Sequence, residues 1–311
     1  MSRSTAAGAS VDVSALVRTR AQHPEAIAEA AARRVRRPLV GPSGRLMIIA
    51  ADHPARGALG VGKDPLAMAD RADLLDRLCL ALSRPGVDGV LATADILDDL
   101  LLLGALDGKV VMGSMNRGGL AGAAFELDDR FTGHRAEDLE RLGFDAGKLL
   151  LRVDYDDPGS LATLYSTARA VDAMAERQLP VFIEPFLCRR SPEGLRNDLS
   201  ADAVTRSIAI ASGLGGTSAY TWLKVPVTEN PDDMARVMET STLPAVLLGG
   251  DIGDGKNGKN GRDGGDPDTA FEKWRGALQL PTVYGLVAGR TLLYPVDGDV
   301  AGAVDTAVGL L

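Results

Sequence analysis

Short apolar runs recur along this chain, separated by longer stretches with helical spacing. The runs cover residues 46–50, 89–92, 110–112, 148–153, 181–183, 222–225, 245–248 and 283–287, each of strand length and rich in aliphatic side chains. Between and after them, residues 65–82, 93–106, 135–142, 158–177, 201–212, 231–239, 267–278 and 299–311 carry the three-to-four-residue apolar repeat of helices. Strands that alternate with helices eight times predict an α/β fold, a (β/α)8 TIM barrel. An open doubly wound sheet shares the alternation and remains the alternative, because alternation alone does not show closure. Upstream, residues 11–36 read as one or two Ala-rich helices. They end in Arg33, Arg34, Arg36 and Arg37, cations that suit a helix C-terminus and are expected to be solvated there. The expected division is a tail and helical extension over 1–44 and the barrel over 45–311.

The chain has 311 residues, 45% hydrophobic and 24% charged, enough for one large core. A formal net charge of −8 argues against general affinity for nucleic acid or anionic membrane, while leaving room for a local basic pocket for a small anion. Two distant cysteines, Cys79 and Cys188, form neither a disulfide framework nor a zinc motif and fit a reducing cytoplasm. The first ten residues lack the apolar segment of a secretion signal, and no run approaches the roughly 20 residues that span a bilayer. Residues 253–265 are glycine-rich and follow the seventh run, where a long loop is either a mobile lid or irregular chain. They are not a dinucleotide fingerprint, which belongs to the turn of a first βαβ unit.

The chemistry lies in charges placed where apolar residues are expected. Lys224 stands inside the sixth run, and an ammonium withdrawn from water must be paired or must lose its proton. It is therefore half of an ion pair or a neutral, nucleophilic amine. Other ionisable groups gather at the C-terminal ends of runs, where barrel active sites are built: Asp52 and His53 after the first, Lys148 and Arg152 in the fourth, Glu184 after the fifth. Lys148, Leu150, Arg152 and Asp154 share a strand face by their spacing of two. Arg117 follows the third run, and Arg189 and Arg190 follow the fifth; each can meet an anion or lie on the surface. A structural ion pair of Lys224 with Glu184 and a helix N-cap at Asp52 are the plain alternatives.

These residues resemble the class I, Schiff-base-forming aldolases, among them the fructose- and tagatose-bisphosphate enzymes. Ala50-Ala51-Asp52 is similar to the first-strand motif of that family. Lys148, Glu184 in Ile-Glu-Pro, and Lys224 in Leu-Lys-Val-Pro match its fourth-, fifth- and sixth-strand residues. Gly249-Gly250 and Gly289-Arg290 resemble its phosphate-binding turns. The resemblance implies Lys224 as imine-forming nucleophile, Glu184 as proton shuttle, Lys148 as its electrostatic partner and Asp52 as base in carbon–carbon cleavage. It implies Gly249, Gly250, Gly289 and Arg290 as phosphate ligands, with Arg117 and Arg152 as further substrate contacts. No cofactor and no metal are implied; only His53 stands near a strand end, and its place beside Asp52 suits a supporting role. Leu248, where related enzymes often carry serine, and the glycine-rich insertion depart from the pattern.

Overall the chain looks most like the aldolase-like proteins of actinobacterial inositol-catabolism clusters. The implied substrate is 2-deoxy-5-keto-gluconate 6-phosphate, cleaved to dihydroxyacetone phosphate and malonate semialdehyde. Fructose-, tagatose-, sulfo-sugar- or deoxyribose-phosphate aldolase and a non-catalytic sugar-phosphate sensor are the alternatives. Expected partners are a small phosphorylated sugar and, as barrels commonly associate, a second copy of the chain in a homo-oligomer.

Overall fold

Alternation along each strand divides the apolar side chains between two cores. In the computed structural model, which describes residues 10–192, 194–228, 230–249 and 267–311, the strands are β1 (Leu46–Ala51), β2 (Gly89–Ala92), β3 (Val110–Ser114), β4 (Ala146–Val153), β5 (Val181–Ser191), β6 (Gly194–Asn197), β7 (Thr221–Val225), β8 (Ala245–Leu248) and β9 (Val283–Ala288). Leu46, Ile48 and Ala50 join Val110, Met112, Ala146 and Phe182 in an inner core. Met47, Ile49, Leu149, Leu151, Ile183 and Leu223 face outward into the layer beneath the helices.

Parallel pairing runs β4-β3-β2-β1-β9-β8-β7-β5, and a β4–β5 pairing closes the ring. The protein is a (β/α)8 barrel, and closure excludes the open sheet. Helices α1 (Val13–Gln22) and α2 (Glu25–Arg33) precede β1. The others are α3 (Arg71–Ser83), α4 (Ala94–Leu102), α5 (Ala136–Arg141), α6 (Gly159–Glu176), α7 (Ala201–Ser212), α8 (Met234–Met238), α9 (Pro267–Ala277), α10 (Arg290–Leu293) and α11 (Val300–Val308). Among the described residues no helix is long and apolar enough to cross a membrane.

Three local departures from the sequence expectation have physical causes. The helix expected from residue 65 starts at Arg71, because the Asp70 carboxylate caps it by accepting from the Ala72 and Asp73 N–H groups. The fifth strand continues to Ser191 and turns back antiparallel as β6, so Arg189 and Arg190 lie on a hairpin instead of a loop. Residues 231–239 split into a 3-10 turn, Pro231–Asp233, followed by α8. The glycine-rich segment 253–265 lies outside the described residues.

The arginine cluster after α2 corrects the expectation of a solvated helix end. Arg34, whose side chain is 1% exposed, pairs with Asp145 at 3.1 Å, and the exposed Arg36 reaches the same carboxylate at 3.0 Å. Arg34 also donates to the carbonyls of Lys109 (2.7 Å) and Gly143 (2.5 Å). Arg37 pairs with Asp88 at 2.5 Å. Asp145 accepts from the Val111 N–H and Asp88 from the Met47 N–H, so each carboxylate ties the entry of a strand to an arginine. The segment leaving α2 thus clamps the N-terminal end of the barrel, and Leu39 and Val40 pack against the inner core beside it. Asp145→Asn is expected to cost about 3–5 kcal/mol by leaving a buried guanidinium without its counter-charge. Urea denaturation checks this, and Arg34→Met combined with Asp145→Asn is expected to recover part of the loss.

Candidate active site

Asp52, Lys148, Glu184 and Lys224, 172 positions apart in sequence at the extremes, meet inside the C-terminal end of the barrel. Lys148 Nζ lies 2.9 Å from Asp52 Oδ2 and 2.6 Å from Glu184 Oε2, and Lys224 Nζ lies 2.9 Å from Glu184 Oε1. Charges therefore alternate along a line. Strand geometry produces it: Lys148 follows Ala146 on the inward face of β4, Glu184 follows Phe182 on β5, and Lys224 follows Trp222 on β7. Asp52 comes from the opposite wall, directly after β1. It occupies the N-cap position of a 3-10 turn over His53–Arg56 but makes no cap hydrogen bond, its carboxylate being committed to Lys148.

The neighbours separate the two lysines chemically. Burial alone would lower the pKa of Lys148, but Asp52 and Glu184 flank it and hold it above the usual lysine range, so it stays an ammonium. Lys224 is lowered, first by burial; Glu184 opposes this and the Lys148 charge adds to it. Burial would raise both carboxyls, yet Lys148 and Lys224 bring Glu184 down to about 2 and hold Asp52 well below the carboxylate range. Lys224 is thus the group of the four closest to giving up its charge. His53, its Nδ1 buried without a hydrogen-bond partner among the described residues and 3.9 Å from Asp52, is pushed down to about 3, chiefly by burial, and is neutral.

At the ends of β8 and β9, Gly249 and Gly289 lie side by side. A side chain at Gly249 would meet Ala288 Cα at 2.9 Å and the Gly289 nitrogen at 3.4 Å, and one at Gly289 would strike the Ala50 carbonyl at 2.3 Å. Only glycine allows that approach. Arg290 follows directly, 3.4 Å from the Gly60 carbonyl; Gly250 lies outside the described residues.

Arg117 is exposed and reaches the Ala55 carbonyl at 3.4 Å, and Arg189 is exposed on the hairpin. Neither joins the lysines. Asp154 is buried and accepts from the Arg190 N–H, so it anchors the hairpin. Arg152 is buried on the inward face of β4 and pairs with Glu126 at 2.7 Å. Glu126 also takes Arg56 at 3.2 Å. Arg56 and Glu126 escaped the sequence reading because each lies in an irregular segment with no periodicity to orient it. A cleft of about 580 Å3 lined by α1, α2 and the end of α4 lies far from these groups; Arg34 on its wall is already committed to Asp145.

Residues 44–308 match the family described as Cgl0159-like. The chain belongs to that family. The solved structure of Cgl0159 from Corynebacterium glutamicum (Brevibacterium flavum) is 53% identical, with 96% of each chain covered and a TM-score of 0.88. A Schiff-base-forming fructose-1,6-bisphosphate aldolase is 18% identical over 91% of this chain and 99% of its own, at a TM-score of 0.61. An archaeal fructose-1,6-bisphosphate aldolase, solved with its catalytic lysine covalently bound to the carbinolamine intermediate, is also 18% identical, over 91% and 98%, at 0.61. At that identity the family shares the barrel fold with these aldolases. No curated protein matches.

Two titration experiments follow from this electrostatic arrangement. Amine-selective acylation of Lys224, followed by mass spectrometry, is expected to reach half-completion below the ordinary lysine value of 10.5. Lys148→Met removes a repelling cation and frees Glu184 to pair with Lys224 alone, so half-labelling should move to higher pH; a move to lower pH contradicts the assignment. His53 stabilises the fold while it is neutral. That contribution is present above the unfolded value of 6.5 and lost as pH falls towards about 3, at up to about 1.4 kcal/mol per pH unit. The slope of stability against pH between 6.5 and 4.5 should therefore flatten in His53→Gln, with the remainder left to His134, which burial also lowers, and, towards pH 4.5, to Glu184 and Asp52.

Proposed function

We propose that this protein is a class I aldolase that captures a phosphorylated keto sugar acid as an imine on Lys224. The observation that carries this reading is the split between two buried lysines 2.6 and 2.9 Å from the same carboxylate, one held charged and the other pushed towards the free amine. A structural ion pair has no need of that asymmetry; a nucleophile and its electrostatic partner do. The fold shared with Schiff-base aldolases, and the covalently modified lysine reported for one of them, support the same reading.

The chemistry runs through groups already in contact. Glu184, ionised at rest, accepts the proton that Lys224 must shed, and the free amine adds to the ketone carbon. Glu184 returns that proton to the carbinolamine hydroxyl, which leaves as water and generates the iminium. Asp52 takes the proton of the substrate hydroxyl on the carbon that becomes the aldehyde. The carbon–carbon bond breaks, its electron pair flows into the iminium, and an enamine remains. Reprotonation of the enamine and hydrolysis of the imine release the ketone product and restore Lys224. Lys148 keeps its charge throughout and stabilises the carboxylates and the developing oxygen charge.

The phosphate end is assigned to the turns Gly249-Gly250 and Gly289-Arg290, which follow β8 and β9, where barrel enzymes commonly hold phosphate. The most specific form of the proposal is cleavage of 2-deoxy-5-keto-gluconate 6-phosphate to dihydroxyacetone phosphate and malonate semialdehyde. The reaction needs no cofactor, and the unpaired Cys79 and Cys188 suit a cytoplasmic enzyme.

Borohydride reduction in the presence of dihydroxyacetone phosphate, followed by peptide mass spectrometry, is expected to place the adduct on Lys224. Lys224→Arg should lose both the adduct and at least about a thousandfold in turnover. Steady-state cleavage of the keto-acid phosphate beside fructose and tagatose bisphosphates, a sulfo-sugar phosphate and deoxyribose 5-phosphate decides the substrate. Adduct formation without turnover of any of them would identify a sensor instead.

A further inference from the structure

We propose that Arg56 and Arg152, bridged by Glu126, form a subsite for a carboxylate monoanion at the end of the substrate remote from Arg290. This deepens the aldolase reading and rests on it for the identity of the substrate, but not for its test.

The two arginines repeat, one layer further out, the walls that supply the lysine cluster. Arg152 stands four residues beyond Lys148 on the inward face of β4, and Arg56 stands four beyond Asp52 in the turn after β1. Glu126 comes from the connection between β3 and α5 and lies between them. Its Oε1 accepts from Arg152 Nη2 at 2.7 Å and from Arg56 Nη2 at 3.2 Å, while its Oε2 accepts from the Gly122 N–H at 3.1 Å. Arg152 Nη2 also donates to the Gly118 carbonyl.

Glu126 is the carboxylate that both guanidinium groups touch, and the buried Asp129 also lies within electrostatic range of Arg152. Arg152 is 95% buried by its 5% exposure, and the Nε–H groups of both arginines are buried without a hydrogen-bond partner among the described residues. Unsatisfied donors on a desolvated cation are a built demand for an acceptor oxygen. The Arg56 side chain, 20% exposed, is the more accessible of the two. Arg56 also feels Asp52 and Glu184, which sets the cluster within electrostatic range of the lysines, and burial together with Arg152 brings its pKa down to about 10.

Charge selects the ligand. With Glu126 in contact and Asp129, Asp52 and Glu184 within electrostatic range of the two arginines, a carboxylate monoanion adds less uncompensated negative charge there than a phosphate dianion would. The exposed Arg117 and Arg189 offer no comparable desolvated site.

Ligand-observed NMR titration with 3-hydroxypropionate, a monoanion, and glycerol 3-phosphate, a dianion, tests the assignment on full-length protein. Arg152→Met and Arg56→Met should each weaken 3-hydroxypropionate by roughly 10-fold or more. Glu126→Gln, which removes the negative charge that both arginines touch, should shift preference towards the phosphate. A monoanion affinity that is the same in all four proteins overturns the proposal and leaves the cluster a tie between β4 and its neighbouring loop. Loss confined to glycerol 3-phosphate overturns the carboxylate assignment. Should Arg152→Met fail to fold, Arg56→Met and Glu126→Gln carry the test. Borohydride trapping with dihydroxyacetone phosphate is read separately: its failure in the unmodified protein removes the aldolase reading while the titrations still decide the subsite.

Discussion

Four ionisable side chains share one desolvated space, and the alternation of their charges is the constraint on which the rest of the site depends. Removing a carboxylate or an ammonium from water is costly, and four isolated charges in this lumen would not be tolerated. In the order Asp52, Lys148, Glu184, Lys224 each inner member touches two partners of opposite sign, whereas Lys224 at the end touches one. The end position explains why one lysine is held charged while the other is pushed towards neutrality. The difference between them comes from where each stands in the line, since both lysines are buried to the same extent.

The barrel distributes its polar groups by height. At the N-terminal end, Asp88 and Asp145 join arginines to strand entries. The middle of the lumen is apolar, filled by Leu46, Ile48, Val110, Met112 and Phe182. Above it stands the lysine line, and above that the pair of arginines around Glu126. Apolar filling below keeps water from the lysines on that side, and the arginine layer lies above them towards the mouth.

Much of this was legible along the chain because strands and lumen-facing residues obey a period of two. Ala146, Lys148 and Arg152 on one face, and Trp222 with Lys224 on another, could be read from spacing alone. Segments without a period gave no such reading. Arg56 and Glu126 lie in a turn and a long connection, and the arginines after α2 looked like a solvated helix end until the chain was seen to fold back beneath the strands. Arg117, placed after a strand as an anion ligand would be, is exposed and reaches the Ala55 carbonyl instead of the lysines, because position after a strand does not determine side-chain direction.

The sequence by itself determined which residues are strand, which strand positions face inward, and that several inward positions carry charge, since local sterics and alternation act over a few residues. Only the tertiary structure decided which of those charges touch. Asp52 and Lys148 are 96 residues apart and rise from separate walls, so their 2.9 Å contact exists through closure of the sheet and through no local preference. The same holds for the pKa values: desolvation and neighbouring charge are properties of the enclosed space, which the linear chain does not contain.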